Sequence, residues 1–171
     1  MKEYYFENGH WINVSKLKIP RIPRSQYEDI HKKVVIPCHD IIIEYKGGAL
    51  LVIRKNYPVK DILWPIGGKI ERGMSIEDSL RKKVKEECNL ELENITELGC
   101  ARTFFETEPF GHGKGTDTIS FMYFGRGGGK LKLDKLHASP SIILPKQYTQ
   151  KFRKTLHPYV RDFMDLAVPL I

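Results

Sequence analysis

The sequence predicts an α/β domain in which helices pack on a mixed β-sheet, and three observations carry that expectation. Two β-branched apolar runs, VVIPCHDIIIEY and ALLVIRK, meet at Gly47 and Gly48. Ile76, Leu80, Val84 and Cys88 then recur every fourth residue, the stripe of an amphipathic helix. The strand-like runs ITELGCARTFF and TISFMYFG follow, before a second amphipathic segment near the chain's end.

Each element has a local reason. Residues 1–32 mix aromatics with IPRIPR, whose prolines fix φ and interrupt regular pairing, so they are expected to form an N-terminal arm that packs on the domain or on a partner. The domain proper is expected over residues 33–171. Its first two strands are joined at the Gly-Gly pair as a hairpin, and a turn around Asn56, Tyr57 and Pro58 leads to LWPIGGKI. Ser75 followed by Asp78 starts the helix in the manner of a capping box, and Asn89 suits its C-terminal cap. A polar, glycine-rich loop, ETEPFGHGKGTD, separates the next two strands, and RGGGK is expected to turn into a short strand, LKL. From Leu156 to Ala167, the residues Val160, Phe163, Met164 and Ala167 share one side of a closing helix.

Composition narrows the class. The chain has 171 residues, 41% hydrophobic and 29% charged, which suits one globular domain and excludes fibrous or wholly disordered readings. No apolar run approaches the roughly twenty residues of a membrane-spanning helix, and MKEYYFENGHWINV has no apolar signal core. Three cysteines, none in a C-x-x-C pair, indicate neither a disulfide framework nor a zinc site, so a cytoplasmic, membrane-free protein is expected. The net charge of +7 favours anions such as nucleotides, nucleotide sugars or nucleic acid. The C-terminal basics Lys146, Lys151, Arg153, Lys154 and Arg161 are too dispersed to make a nucleic-acid patch.

The chemistry is concentrated in GGKIERGMSIEDSLRKKVKEECNL, residues 67–90. Gly67 and Gly68 let backbone approach an anion or metal closely, and the helix start adds a positive dipole end for phosphate. Glu86 and Glu87 supply hard oxygen ligands for Mg²⁺ or Mn²⁺. His39 and Asp40 read as structural or substrate-adjacent, and Glu71 as a loop brace.

These residues resemble the Nudix hydrolases, whose pattern is G-x5-E-x7-R-E-U-x-E-E-x-G-U, with U aliphatic. Laying Gly68 on the first glycine puts Glu86 and Glu87 on the paired acids and Leu90 on the last aliphatic position. Trp64 to Gly68 match an upstream W-x-x-G-G, and the resemblance covers roughly residues 33–168. It implies the Nudix fold, an α/β/α sandwich around a mixed sheet. The pattern is degenerate here: Met74 and Lys83 replace glutamates, Lys82 replaces arginine and Asn89 replaces glycine. Lys83 matters most, because it sits one helical turn before Glu86 and Glu87 and turns an acidic position basic. At roughly 4 Å and an effective dielectric near 20, each unit charge shifts a neighbour by about 4 kcal/mol, so one divalent ion rather than several is expected.

Within the family the closest resemblance is to GDP-mannose mannosyl hydrolases, which also lack part of the acidic box. It implies a single Mg²⁺, with Mn²⁺ as a substitute, held by Gly67 or Gly68 and by Glu87, with Glu86 beside it. It further implies that Arg54, Lys69 and Lys82 contact phosphate, and Lys83 joins that substrate-binding group. With Lys83 unable to act as a carboxylate base, the loop offers His112, Glu106, Glu108 and Asp117, of which His112 suits water activation near neutral pH. The expected function is hydrolysis of a nucleotide sugar of the GDP-mannose type to nucleoside diphosphate and sugar by a homodimer. Two alternatives are attack at phosphorus in a nucleoside diphosphate derivative and a non-catalytic nucleotide- or RNA-binding module.

Overall fold

A computed structural model describes residues 1–171. The N-terminal arm contains a two-strand hairpin, β1 (Phe6–Glu7) and β2 (His10–Trp11), and a helix, α1 (Arg24–Lys33). The arm is tied to the domain, because Glu3 accepts the Ile76 backbone N–H at the start of the next helix. The sheet is built from β3 (Ile36–Tyr45), β4 (Gly48–Arg54), β5 (Leu63–Trp64), β6 (Ile66–Lys69), β7 (Glu91–Phe105), β8 (Thr116–Gly128) and β9 (His137–Ile143). Its spatial order is β5-β4-β3-β8-β7, with β6 on β3 and β9 on β4. β3 and β8 run parallel and the other pairs antiparallel, so the sheet is mixed.

Strand alternation sends side chains to two cores. Ile41, Ile43, Leu50 and Val52 face α2 (Ile76–Cys88), whose stripe of Ile76, Leu80, Val84 and Cys88 is buried against them. Ile42, Ala49, Leu51, Met122 and Phe124 face α4 (Pro158–Ala167), which buries Val160, Phe163, Met164 and Ala167. A short helix, α3 (Gln150–Arg153), precedes it. The result is the expected α/β/α sandwich. Ser75 caps α2 by accepting the Asp78 N–H at 3.0 Å, and Asn89 ends it in the left-handed conformation at φ 58°. No helix is long and apolar enough to cross a membrane.

Two elements depart from the sequence expectations. Residues 131–133 form no strand; the Lys132 and Asp134 N–H groups instead donate to the Cys88 and Glu87 carbonyls at 3.0 and 2.9 Å, tying the segment to the end of α2. The last strand is β9, where Pro140 and the positive φ of Ser139 conceal a strand that pairs with β4 through a register shift.

Candidate active site

The split pairing of β3 creates the site. β3 meets β4 only through Ile43–Tyr45 and β6 only through Cys38–Ile41, so β4 leaves β3 and continues between β5 and β9. The divergence brings Arg54, at the end of β4, opposite His137, at the start of β9. It also opens a cleft of about 170 Å³. Asp40, Thr118 and Ser120 line it from β3 and β8, Trp64 and Phe105 from neighbouring strands, Tyr27 and His31 from α1, and Pro109 and Phe110 from the loop after β7.

Asp40 is buried and accepts a hydrogen bond from Tyr159 Oη at 2.6 Å. Burial pushes its carboxyl up to about 6, against the opposing pull of Tyr159, Arg54 and Ser120. Gly67 is required beside it: a Cβ there would overlap Asp40 Oδ1 and the His39 carbonyl oxygen. Gly68 has room for a Cβ but a φ of +151° that side chains disfavour.

On the other side of β6 the Gly67 N–H donates to Glu87 Oε2 at 3.3 Å. Glu87 is buried on α2, and burial pushes its carboxyl up to about 7 although the Lys83 ammonium, 3.8 Å from Oε1, pulls the other way. His137 Nε2 lies 3.9 Å from Glu87 Oε2, while His137 Nδ1 is 2.7 Å from Asp134 Oδ1. The His137 side chain is 3% exposed, and burial holds it below the usual histidine range despite Asp134. Arg54 completes the group: its Nε is buried without a partner, and its other contact is a 3.5 Å bond to Asn56.

The sequence-derived candidates divide accordingly. Of these, Arg54 and Gly68 line the cleft, Lys83 reaches its margin beside Gly68, and Gly67 and Glu87, joined by their 3.3 Å hydrogen bond, lie outside its lining. Lys69 and Lys82 are turned to Glu71, at 3.3 and 4.0 Å. Glu86 is 55% exposed and faces Lys82 at 3.9 Å, so the paired acids of the box point to different environments. Asp117 makes a two-pronged pair with Arg102, and Glu108 accepts the N–H groups of Phe110, Gly111 and Gly113. His112 is packed inside the loop: its Nδ1 accepts the Lys114 N–H at 3.1 Å and its Nε2 lies 3.0 Å from His31 Nδ1. With both nitrogens engaged and the side chain 1% exposed, it does not line the cleft.

Nothing in the sequence alone gives His137, Asp134, Asp40 or Tyr159 a reacting role. The signal for the first pair is faint: an acid and a histidine three residues apart in DKLH. His39, within β3, lies 2.6 Å from Ser79 Oγ, which accepts the Glu71 N–H, so this buried pair braces the glycine loop against α2.

The residues fit a divalent cation of one kind. No three His, Cys, Asp or Glu side chains converge on a point. The hard oxygens near Gly67 are the carboxylates of Glu87 and Asp40, one on each side of β6, with that of Asp134 beyond His137. Such oxygens could hold a hard divalent cation that keeps several waters and completes its shell with substrate phosphate.

Comparisons place this architecture. The family model for the NUDIX domain matches residues 38–159. The chain is 25% identical over 149 residues to the low-salt glycan biosynthesis protein Agl8 of Haloferax volcanii, covering 85% of this chain and 90% of that one. Among solved structures it is similar to a MutT NUDIX hydrolase from Burkholderia pseudomallei, with TM-score 0.61 and 18% identity over 78% of this chain and 98% of that one. It is also similar to a MutT protein from Methanosarcina mazei Go1, with TM-score 0.57 and 22% identity over 78% of this chain and 93% of the other. The NUDIX domain of Shewanella oneidensis NrtR, solved with ADP ribose, has TM-score 0.50 and 15% identity over 71% of this chain and 82% of that one.

Proposed function

Because the chain belongs to the NUDIX hydrolase family, we propose that it hydrolyses a nucleotide sugar of the GDP-mannose type with Mg²⁺, releasing nucleoside diphosphate and free sugar. The observation that carries this reading is the meeting of Glu87 and an Asp134-oriented His137 behind Arg54, which lines the cleft and keeps its buried Nε without a partner. The likeness to a protein named for glycan biosynthesis, across most of both chains, supports a sugar-bearing substrate.

A magnesium ion shared by Glu87 and the diphosphate would neutralise charge on the leaving group. The chain's own residues do the rest. Arg54 presents a buried, unsatisfied guanidinium N–H to phosphate oxygen. Asp134 fixes the tautomer of His137 by accepting from Nδ1, which leaves Nε2 to take a proton from water. The water oxygen bonds to the sugar carbon as that carbon's bond to the diphosphate breaks, and the diphosphate leaves with the bonding electrons. Arg24 and Tyr27 of α1 pack on Phe110 of the loop, and both elements help keep bulk water out of the cleft. We include in this reading a cytoplasmic homodimer, supported by the exposed Tyr4 and Trp11 of the arm.

A second reading, attack at phosphorus with Glu87 as the base, is favoured by the carboxyl's rise to about 7. Incubation with a panel of nucleotide sugars, Mg²⁺ and ¹⁸O-labelled water separates the two. Label in the released sugar is expected; label in phosphate selects the second reading, and no turnover of any member by folded protein removes both.

A further inference from the structure

Resting on the diphosphate reading just given, we infer that Lys83 contacts the diphosphate directly in place of a divalent cation, so that uptake of a nucleoside diphosphate, unlike its hydrolysis, proceeds without metal.

Lys83 is placed for that role by the helix. It sits one turn before Glu87 on α2, on the face turned toward β6, and only 17% of its side chain is exposed. Its Nζ lies 4.0 Å from where a Cβ on Gly68 would stand, and Gly68 lines the cleft, so the ammonium reaches the cleft margin across that glycine. Its hydrogen-bonding capacity is unspent: the nearest carboxylate oxygen is Glu87 Oε1, at 3.8 Å, too far for a hydrogen bond. Lys69 and Lys82 differ, since both are turned toward Glu71.

A half-buried ammonium with three unused donors is costly to hold unless something else completes it. Arg54 presents the same deficit from the other side, with a buried Nε that has no partner. Glu87, already supplied by the Gly67 N–H, faces both cations, with Asp40 on the Arg54 side and Asp134 beyond His137. What is unsatisfied is therefore not the charge balance but the N–H donors of Lys83 and Arg54, and a diphosphate supplies the oxygens to complete them.

The test is titration of GDP into the full-length protein in EDTA and in excess magnesium, by calorimetry. Wild type is expected to bind in EDTA within about tenfold of its affinity in magnesium. Lys83→Met should lose roughly ten- to a hundredfold of the metal-free affinity, the size of one charge-assisted hydrogen bond, while Lys83→Arg keeps it. Lys83→Glu should bind GDP only with metal and take up more manganese per chain, counted by calorimetry. Binding by wild type in magnesium but not in EDTA overturns the role of Lys83 and leaves the diphosphate reading standing. So does undiminished metal-free binding by Lys83→Met with a thermal midpoint near wild type. No GDP binding under either condition removes the diphosphate reading itself.

Discussion

Two buried histidines of this chain sit beside acids, and hydrogen-bond accounting separates their roles. His112 spends both ring nitrogens inside its own loop, on the Lys114 N–H and on His31. His137 spends one, on Asp134, and holds the other 3.9 Å from Glu87 without a hydrogen bond. The first is a finished structural contact that closes the loop onto α1. The second is an unfinished one, the usual condition of a group reserved for a reacting molecule. Gly111 and Gly113 make His112 look like the mobile, reactive residue, yet Glu108 pins that turn by accepting three of its N–H groups.

The contrast is broken or sharpened by substitution. His137→Gln should lower kcat by about 10²- to 10⁴-fold, the range for losing a general base, whereas His112→Gln should stay within a few-fold of wild type. The thermal midpoint should respond in the opposite sense: His112→Gln strands buried partners at about 1–3 kcal/mol, or roughly 2–10 °C for a domain of this size. Equal kinetic losses would erase the distinction.

Gly67→Ala comes next, because its Cβ would overlap Asp40 and the backbone of β3. A cost of about 3 kcal/mol is expected by chemical denaturation, the upper end for overpacking. A smaller cost than that of Gly68→Ala, where only backbone conformation is at stake, would contradict the packing argument.

The latch over the cleft should loosen with acid. Burial, with His112 alongside, lowers His31 below the ordinary 6.5 despite Glu108, so His31 favours the folded state above 6.5 and that contribution is lost as pH falls through its depressed value. Burial raises Glu108, but the N–H groups of Gly113, Phe110 and Gly111, with His112, prevail and hold it down to about 2, so its contribution survives until pH falls from 4.5 toward 2. Ring-proton NMR should show His31 titrating below 6.5; titration at or above that value sinks the latch. The smallest effect is expected of Glu86→Gln, within about threefold in kcat, since its exposed pairing with Lys82 is worth little.

How much the sequence disclosed follows from whether the signal was local. The hairpin at Gly47, the stripe and caps of α2 and the face of α4 are written in spacing and in single capping residues, and the structure contains them. Glu87 and the two glycines were legible for the same reason, as one continuous motif. α1 was hidden because it buries little beyond His31 and follows a proline-rich run. β9 was hidden by Pro140, and the site's other half by distance: Arg54, Asp134 and His137 are brought to Glu87 only when β4 leaves β3 to pair with β9. Glu86 and Glu87 are neighbours in sequence, yet adjacent helical positions face different surroundings; one meets solvent and the other the buried β6.

The most direct test is the turnover of Glu87→Gln on the nucleotide sugar that wild type cleaves, with Mg²⁺ saturating and thermal midpoint recorded. A loss of about a hundredfold or more at a midpoint near that of wild type is expected for removing the carboxylate that accepts the Gly67 N–H. Turnover within a few-fold of wild type would place the chemistry elsewhere and contradict the account.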